Sequence, residues 1–364
     1  MSKKIWIVPI EPIDTRYTRQ WYKHIPESLD AHAKSKGKSV DIVVVDGEQV
    51  PPVPTPGAFL DFGATNIYKS SQLSAIASEF QNGKISAGDK FLFTDAWNTS
   101  VLAIKYMSEL LNIPVELHGM WHAGSYDPQD FLGRLIGNKP WVRTTERALY
   151  ECYDTNWFAT DFHIKLFAEA FFGTEYIDDL TSIGKIAKTG WPMDYLLKDL
   201  FPYRNLTKKN QVVFPHRLAP EKQLDIFKDL STSFPEYNWV VCQEKSLSKD
   251  EYHTILGESK MVFSANLQET FGISMIEGLI CQAAPLVPDR LSYTEMYLDQ
   301  FKYPSKWTES FENYLTHKSE LIEKIRYIMS NISNPAWRFG NLGVQQDKLG
   351  PYIYSLPLLN ALIT

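Results

Sequence analysis

Short apolar runs alternate with longer amphipathic stretches along most of the chain, the pattern of strands buried on both faces of a parallel sheet with helices between them. Lys4–Ile10 (KIWIVPI) and Ser39–Val45 (SVDIVVV) are the first two runs. The stretch between them predicts a helix that starts around Thr15 or Thr18 and ends at Gly37, so the chain opens on a βαβ unit. A Pro-rich connector, Val50–Pro56, leads into residues 59–66, and a helical pattern covers Ser70–Phe80. Strands are then predicted at Lys90–Thr94, at Val115–Leu117 ending on His118, and at Asn156–Ala159. Helices are predicted at Thr99–Leu111, Thr144–Cys152 and Asp161–Phe171. Ile186–Trp191 meets Pro192, and the polar, Pro-interrupted stretch Leu196–Lys209 suits an exposed connection between domains.

The alternation then resumes. Gln211–Phe214 (QVVF), Trp239–Cys242 (WVVC), Lys260–Ser264 (KMVFS) and Ala283–Val287 read as strands. Helices are expected at Glu221–Ser233, after Gly272, and at Lys318–Ile332. Asn334–Thr364, with Trp337 and Phe339, ends in an apolar tail.

Composition adds scale. A chain of 364 residues has the length of two domains, and 44% apolar with 13% aromatic residues supplies two packed cores. No apolar run reaches the length of a membrane span, and MSKKIWIVPI lacks a signal peptide's apolar region and cleavage site, so a cytoplasmic location is expected. Cys152, Cys242 and Cys281 are far apart and read as buried thiols rather than zinc ligands or disulfides. A net charge of −6 speaks against non-specific binding to nucleic acid. Residues 1–40 run the other way, with eight lysines and arginines to four acids.

Several clusters carry candidate chemistry. The first βα turn lacks the G-x-G-x-x-G of dinucleotide-binding enzymes, which disfavours nicotinamide or flavin chemistry. In its place Glu11–Tyr22 gathers Arg16, Arg19, Tyr17, Trp21 and Tyr22. Cations interleaved with aromatics grip phosphates and stack on bases; a helix start with solvated arginines and inward aromatics reads the same way. His118, Trp121, His122, Ser125 and Asp127 cluster beyond a strand, but Gly119 and Gly124 argue against the helix a histidine-pair metal site needs. After Gln211–Phe214, Arg217 and Lys222 flank the expected helix start, two cations and free N–H groups for one anion, or else a cap with two surface charges. In Leu267–Gly278 (LQETFGISMIEG), Glu269 falls in a loop, Gly272 at a turn and Glu277 about one turn into a helix. Two carboxylates so placed accept hydrogen bonds from a sugar's hydroxyls; an amphipathic helix with a solvated glutamate has the same sequence pattern.

Glu269 to Glu277 resembles the E-x7-E motif of retaining nucleotide-sugar glycosyltransferases, above all glycosyltransferase family 4, and His216–Lys222 resembles the same family's G-R-L-x-x-x-K. The resemblance implies an α/β chain with two Rossmann-like domains facing a cleft, the GT-B fold. It implies an N-terminal acceptor domain over 1–192, a donor domain over 193–335, and a tail over 336–364 that packs back on the first domain. Arg217 and Lys222 would bind the donor's phosphates. Glu269, with Phe271, Gly272 and Ile273, would hold the sugar, Glu277 the ribose and Gln243 the nucleobase. His118 would reach over the donor sugar, with His122 as the alternative. Two positions depart from the pattern: His216 replaces the first glycine, and Gln282 replaces the glycine of the later C-G-x-P-V run, although Pro285 is kept.

The resemblance also implies a mechanism in which the leaving phosphate takes the acceptor's proton, so Glu269 is not assigned as a nucleophile. No D-x-D triplet is present, and a metal-independent reaction is expected, with a UDP-linked nucleotide-sugar as co-substrate and no other cofactor. Ile10–Trp21 (IEPIDTRYTRQW) is similar to glycosyltransferases of tailed bacteriophages, some of which modify 5-hydroxymethylcytosine in DNA. That similarity implies an infected bacterial host's cytoplasm and a hydroxymethylated base in duplex DNA as acceptor, with Arg16, Arg19 and His122 on the acceptor side. A saccharide, lipid carrier or small metabolite is the alternative acceptor, and a nucleotide-sugar-binding protein without activity is a further alternative.

Overall fold

The computed structural model describes residues 3–48 and 61–364, so the expected connector Val50–Pro56 lies outside the described residues. Two compact units are formed, one by residues 1–192 with 355–364 and the other by residues 193–354.

In the first unit, strands β1 (Lys4–Val8), β2 (Asp41–Val44), β3 (Lys90–Phe93), β4 (Glu116–Met120), β5 (Thr155–Phe158) and β6 (Ile186–Lys188) form a sheet in the order β2-β1-β3-β4-β5-β6. Every neighbouring pair is parallel. Ile5, Trp6, Ile7 and Val8 are all buried, as are Phe91, Leu92 and Phe93. Burial of successive residues, whose side chains point to opposite faces, explains why these strands read as unbroken apolar runs. Each such side chain contributes roughly 1.5–3 kcal/mol to the core. The polar end of Trp6 is satisfied too, since its Nε1–H donates to Asp89 Oδ2 at 3.0 Å. The first helix spans Tyr17–Ser35 and the next spans Phe62–Gln81, where Asp61 accepts from the N–H groups of Gly63 and Ala64. Asp61 thereby satisfies two of the free donors of a helix start.

In the second unit, β7 (Gln211–Phe214), β8 (Asn238–Val241), β9 (Met261–Phe263), β10 (Ala284–Asp289) and β11 (Lys302–Pro304) take the order β11-β10-β9-β7-β8, again all parallel. β7 is buried at all four positions, as its apolar run requires.

The two sheets share a topological device. From β1 the chain goes to β2 on one side and then to β3 on the other; from β7 it goes to β8 on one side and then to β9 on the other. Ligands of open parallel sheets bind outside the carboxyl ends of the strands where the order reverses. Those positions are the residues that follow β1 and β3 in the first unit, and those that follow β7 and β9 in the second.

The tail expected over 336–364 divides in two. Pro335–Ile353 is a helix of the second unit, where Gln345 Nε2 donates to the Met296 carbonyl at 2.9 Å. Only the helix Leu356–Ile363, after a left-handed Ser355, joins the first unit. There it packs on Tyr17–Ser35, and Lys90 Nζ donates to the Ala361 carbonyl at 2.7 Å.

Candidate functional site

At the reversal point of the second sheet, β7 runs out into Pro215–Ala219 and a tight turn, Pro220–Lys222. The expected helix over 221–233 begins later, at Leu224, because Gln223 takes a left-handed conformation, φ 53°. The Gln223 amide holds that conformation by donating to the carbonyls of Ala265 and Thr308 at 2.5 and 2.7 Å. Lys222 therefore projects from the turn and not from a helix end. It is 5% exposed, its Nζ donates to the Gln268 carbonyl at 2.6 Å, and it lies 3.5 Å from Glu269 Oε2. The Leu267 N–H bonds the Glu221 carbonyl at 2.8 Å, which ties the two loops together.

Arg217 is not paired with Lys222 as a second open cation. Its NH2 donates to Glu221 Oε1 at 2.7 Å. Burial pushes the Glu221 carboxyl up, but a backbone N–H and the charges of Arg217 and Lys222 outweigh it and hold the group below its ordinary value.

Glu269 lies in the loop after β9, as expected. Its Oε1 accepts from the Phe271 N–H at 3.4 Å and its Oε2 from Asn266 Nδ2 at 3.4 Å. Gly272 then caps the helix Ile273–Ile280 with φ 85°, and a Cβ there would stand 2.8 Å from the Tyr293 ring. Only glycine meets both conditions. Phe271 is buried, and Ile273 is half-buried at the first helical position. Glu277 sits in that helix and accepts from the Tyr252 hydroxyl at 2.8 Å. Burial pushes its carboxyl up to about 7, against the Tyr252 hydrogen bond and the charge of Lys249. Gln243 is exposed in a short turn directly after β8.

The two departures from the family pattern acquire a physical meaning. The His216 ring is buried, with Nδ1 3.4 Å from Ser274 Oγ and 3.5 Å from Asn266 Nδ2, so it fills the space between the loop and the first helical turn. Burial, with the nearby Lys222 charge, holds it well below its ordinary pKa and therefore neutral. Gln282 keeps the left-handed backbone that glycine takes without strain, at φ 63°.

In the first unit the residues separate. His118 does not end its strand: β4 continues through Gly119 to Met120, and His118 is fully buried inside it. Its Nδ1 accepts from Trp157 Nε1 at 3.1 Å, which leaves the proton on Nε2, 2.9 Å from Glu116 Oε1. The His118 hydrogen bond holds the Glu116 carboxyl down at about 2. Nδ1 is thus occupied and the whole side chain is buried inside the sheet, so the assignment of His118 to a donor sugar is corrected. His122, two residues beyond β4, is the histidine at the carboxyl edge. Its Nε2 lies 2.8 Å from the Thr94 carbonyl and must donate there, so Nδ1 accepts from the Tyr17 hydroxyl at 3.0 Å. Burial holds His122 below its ordinary pKa, opposed by Asp95.

Tyr17, Trp21 and Trp191 pack around that ring, with centroids 6.3, 5.6 and 4.7 Å from it. Trp21 is buried, as the inward-packing alternative had it. Arg16 stacks over Tyr17 at 5.7 Å, and the exposed Arg19 lies 3.3 Å from Asp14. Ser125 and Asp127 serve the local fold, the Ser125 N–H donating to Glu146 and Asp127 accepting from the Gln129 N–H.

Three residues at this edge were not singled out in the sequence. Glu11 follows β1, Asp95 follows β3, and Lys69 reaches in from the helix Phe62–Gln81 to pair with Asp95 at 2.7 Å. All three are buried. A lysine within a helical pattern looks solvated, and its partner is distant in sequence. The one local signal was a glutamate directly after an apolar strand. Among the described residues, no three of His, Cys, Asp and Glu are grouped as metal ligands, and no helix is long and apolar enough to cross a membrane.

Two parallel α/β sheets, each with loops gathered at its reversal point, define the architecture of GT-B glycosyltransferases, and solved structures of that class are similar to the chain throughout. No family model matches it. The sucrose-phosphate synthase of Thermosynechococcus elongatus is 10% identical, with 99% of this chain and 98% of the other covered and a TM-score of 0.62. A UDP-forming α,α-trehalose-phosphate synthase from Burkholderia xenovorans is 12% identical over 100% of both chains, with a TM-score of 0.53. The catalytic domain of starch synthase IV from Arabidopsis thaliana, bound to ADP and acarbose, is 11% identical over 98% of this chain and 100% of the other, with a TM-score of 0.52.

Proposed function

We propose that the chain is a retaining glycosyltransferase that takes its sugar from a nucleotide-sugar donor, UDP-linked, and delivers it to a hydroxymethylated pyrimidine in duplex DNA. The observation that carries the donor half is the placement of Lys222, Glu269 and the Gly272-capped helix at one reversal point. Lys222 and the Gly272 turn offer positive charge to a diphosphate, and Glu269 and Glu277 accept from sugar and ribose hydroxyls. Neighbours named as UDP-forming and as bound to ADP fit a nucleotide-linked donor. Arg217 contributes through Glu221, whose charge it balances beside Lys222.

Transfer on this reading is metal-independent, with Lys222 stabilising the leaving phosphate. Turnover that persists in excess EDTA supports this; complete loss restored by magnesium refutes it.

The DNA acceptor rests on the similarity of Ile10–Trp21 to phage glycosyltransferases and on Arg16 and Arg19 beside the carboxyl edge of the first sheet. His122 faces the same edge. A second reading, a sugar or sugar-phosphate acceptor, is favoured by the neighbours named as sucrose-phosphate and trehalose-phosphate synthases. Incubation with a radiolabelled nucleotide sugar decides between them. Label on duplex DNA that carries 5-hydroxymethylcytosine, and none on the unmodified duplex, supports the first; label only on sugars or sugar phosphates supports the second.

A further inference from the structure

The reversal point of the first sheet holds a buried acid to which no described side chain is hydrogen-bonded. Glu11 has no exposed surface, and among the described residues neither of its carboxylate oxygens has a hydrogen-bond partner. Leaving a buried carboxylate in that state is costly. The nearest cation, Lys69, is already committed: its Nζ donates to Asp95 Oδ2 and to the Trp97 carbonyl, both at 2.7 Å. Asp95 is held below its ordinary pKa because Lys69, His122 and the Trp97 N–H outweigh the effect of burial. Burial pushes Glu11 the other way and Asp95 adds to it, with Lys69, the residue's own backbone N–H and Arg16 only partly opposing. One lysine thus serves two acids and favours Asp95.

Among the described residues no side chain is seen to donate to Glu11 in place of Lys69. Both His122 ring nitrogens are taken, by the Thr94 carbonyl and the Tyr17 hydroxyl, and the Tyr17 hydroxyl is spent on that contact. A hydroxyl brought to this edge by a ligand would supply hydrogen bonds that no described residue makes to Glu11. The position is where such sheets bind ligands, since Glu11 follows β1 and Asp95 follows β3 on either side of the reversal.

We propose that Glu11 binds the acceptor: its carboxylate accepts a hydrogen bond from the acceptor hydroxyl that receives the sugar, with Lys69 and Asp95 as positioning residues that hold the carboxylate's side of the site in place. The ligand is defined by its chemistry, a neutral molecule or base that presents a hydroxyl on a slim arm. A hydroxymethyl group on a pyrimidine and a primary hydroxyl of a sugar both qualify. The inference rests on the glycosyltransferase reading but not on the nature of the acceptor.

The test uses the full chain and Glu11→Gln, which keeps the shape and removes the charge. Three quantities are measured: Tm, the rise in Tm caused by UDP-sugars, and kcat/KM for both 5-hydroxymethylcytosine duplex DNA and a panel of sugars and sugar phosphates. The expected result is a Tm at or above that of the wild type, an unchanged donor-induced rise, and a fall of roughly 10- to 100-fold in kcat/KM for whichever acceptor the wild type uses. Unchanged acceptor kinetics overturn the proposal. So does loss of the fold and of the donor response together, which makes Glu11 structural, and so does a wild type that binds donor but transfers to no hydroxyl. A wild type that no nucleotide sugar stabilises refutes the donor reading instead, and this inference falls with it. DNA as the active acceptor and a sugar as the active acceptor both support Glu11 while separating the two sources of the hydroxyl.

Discussion

At the carboxyl edge of the second sheet each acid of the proposed donor site has a partner within the chain: Glu221 has Arg217, Glu269 has Lys222, and Glu277 has the Tyr252 hydroxyl. At the matching edge of the first sheet Asp95 has Lys69, while Glu11 has no hydrogen-bonded partner among the described residues. The same topological position is thus built in two ways. The second unit keeps its geometry by internal pairing and offers a ligand a site that is already shaped. The first unit leaves one acid without a described partner, which we propose the acceptor hydroxyl supplies. Internal pairing suits a large charged donor; an open carboxylate suits discrimination for one hydroxyl, because a site short of a single hydrogen bond rejects ligands that lack it.

The largest test of this contrast is Lys222→Ala. Removing the cation both opens the pairing with Glu269 and takes charge from the leaving phosphate, so kcat is expected to fall roughly 100- to 1000-fold while circular dichroism shows the fold intact. Wild-type turnover in that variant would end the phosphate role.

Gly272→Ala comes next, because the added Cβ meets Tyr293 in a backbone conformation unsuited to alanine. A loss of about 1–3 kcal/mol in stability is expected, together with weaker donor binding. Denaturant titration and donor titration read the two effects, and an unaltered donor Kd would show that the turn does not shape the pocket.

Glu277 sharpens the comparison through pH. Its native pKa of about 7 lies above that of an unfolded glutamate, so the native state holds the proton more tightly. Two slopes of opposite sign follow. The free protein loses stability as pH rises from the unfolded value through about 7, and Glu277→Gln removes that loss. Donor binding, which needs the ionised carboxylate, weakens as pH falls below about 7, by roughly tenfold per unit at the limit. Isothermal titration over this range checks it, and equal pH profiles for wild type and Glu277→Gln would refute it.

The smallest effect belongs to His118→Gln. With Nδ1 bonded to Trp157 and the ring buried inside the first sheet, its loss is expected to lower stability by on the order of 1 kcal/mol and leave transfer kinetics unchanged. A large fall in kcat with normal stability would restore His118 to the site.

The parallel sheets were legible because doubly covered strands are apolar without interruption: Gln211–Phe214 was read with its observed bounds. The loop position of Glu269 and the need for Gly272 were legible for a related reason, as both follow from the switch between strand and helix around them. His118 was misplaced because Gly119 looks like the end of a strand, whereas β4 runs through it with the Tyr153 ring packed where a Cβ would point. The helix after Lys222 begins late because Gln223 is held left-handed by carbonyls of Ala265 and Thr308, far along the chain. Lys69, Asp95 and Glu11 escaped for a deeper reason. Local patterning shows which side chains are polar, but only tertiary pairing shows which of them share a charge, and which is left over.

Because residues 355–364 finish a unit that residues 1–192 begin, the order of synthesis differs from the order of completion. On the ribosome the intervening unit is made whole while the earlier one still lacks the helix that covers part of Tyr17–Ser35. A nascent chain stalled before Leu356 is therefore expected to display a protease-resistant second unit and a vulnerable first one, and adding the peptide 355–364 in trans should protect the latter.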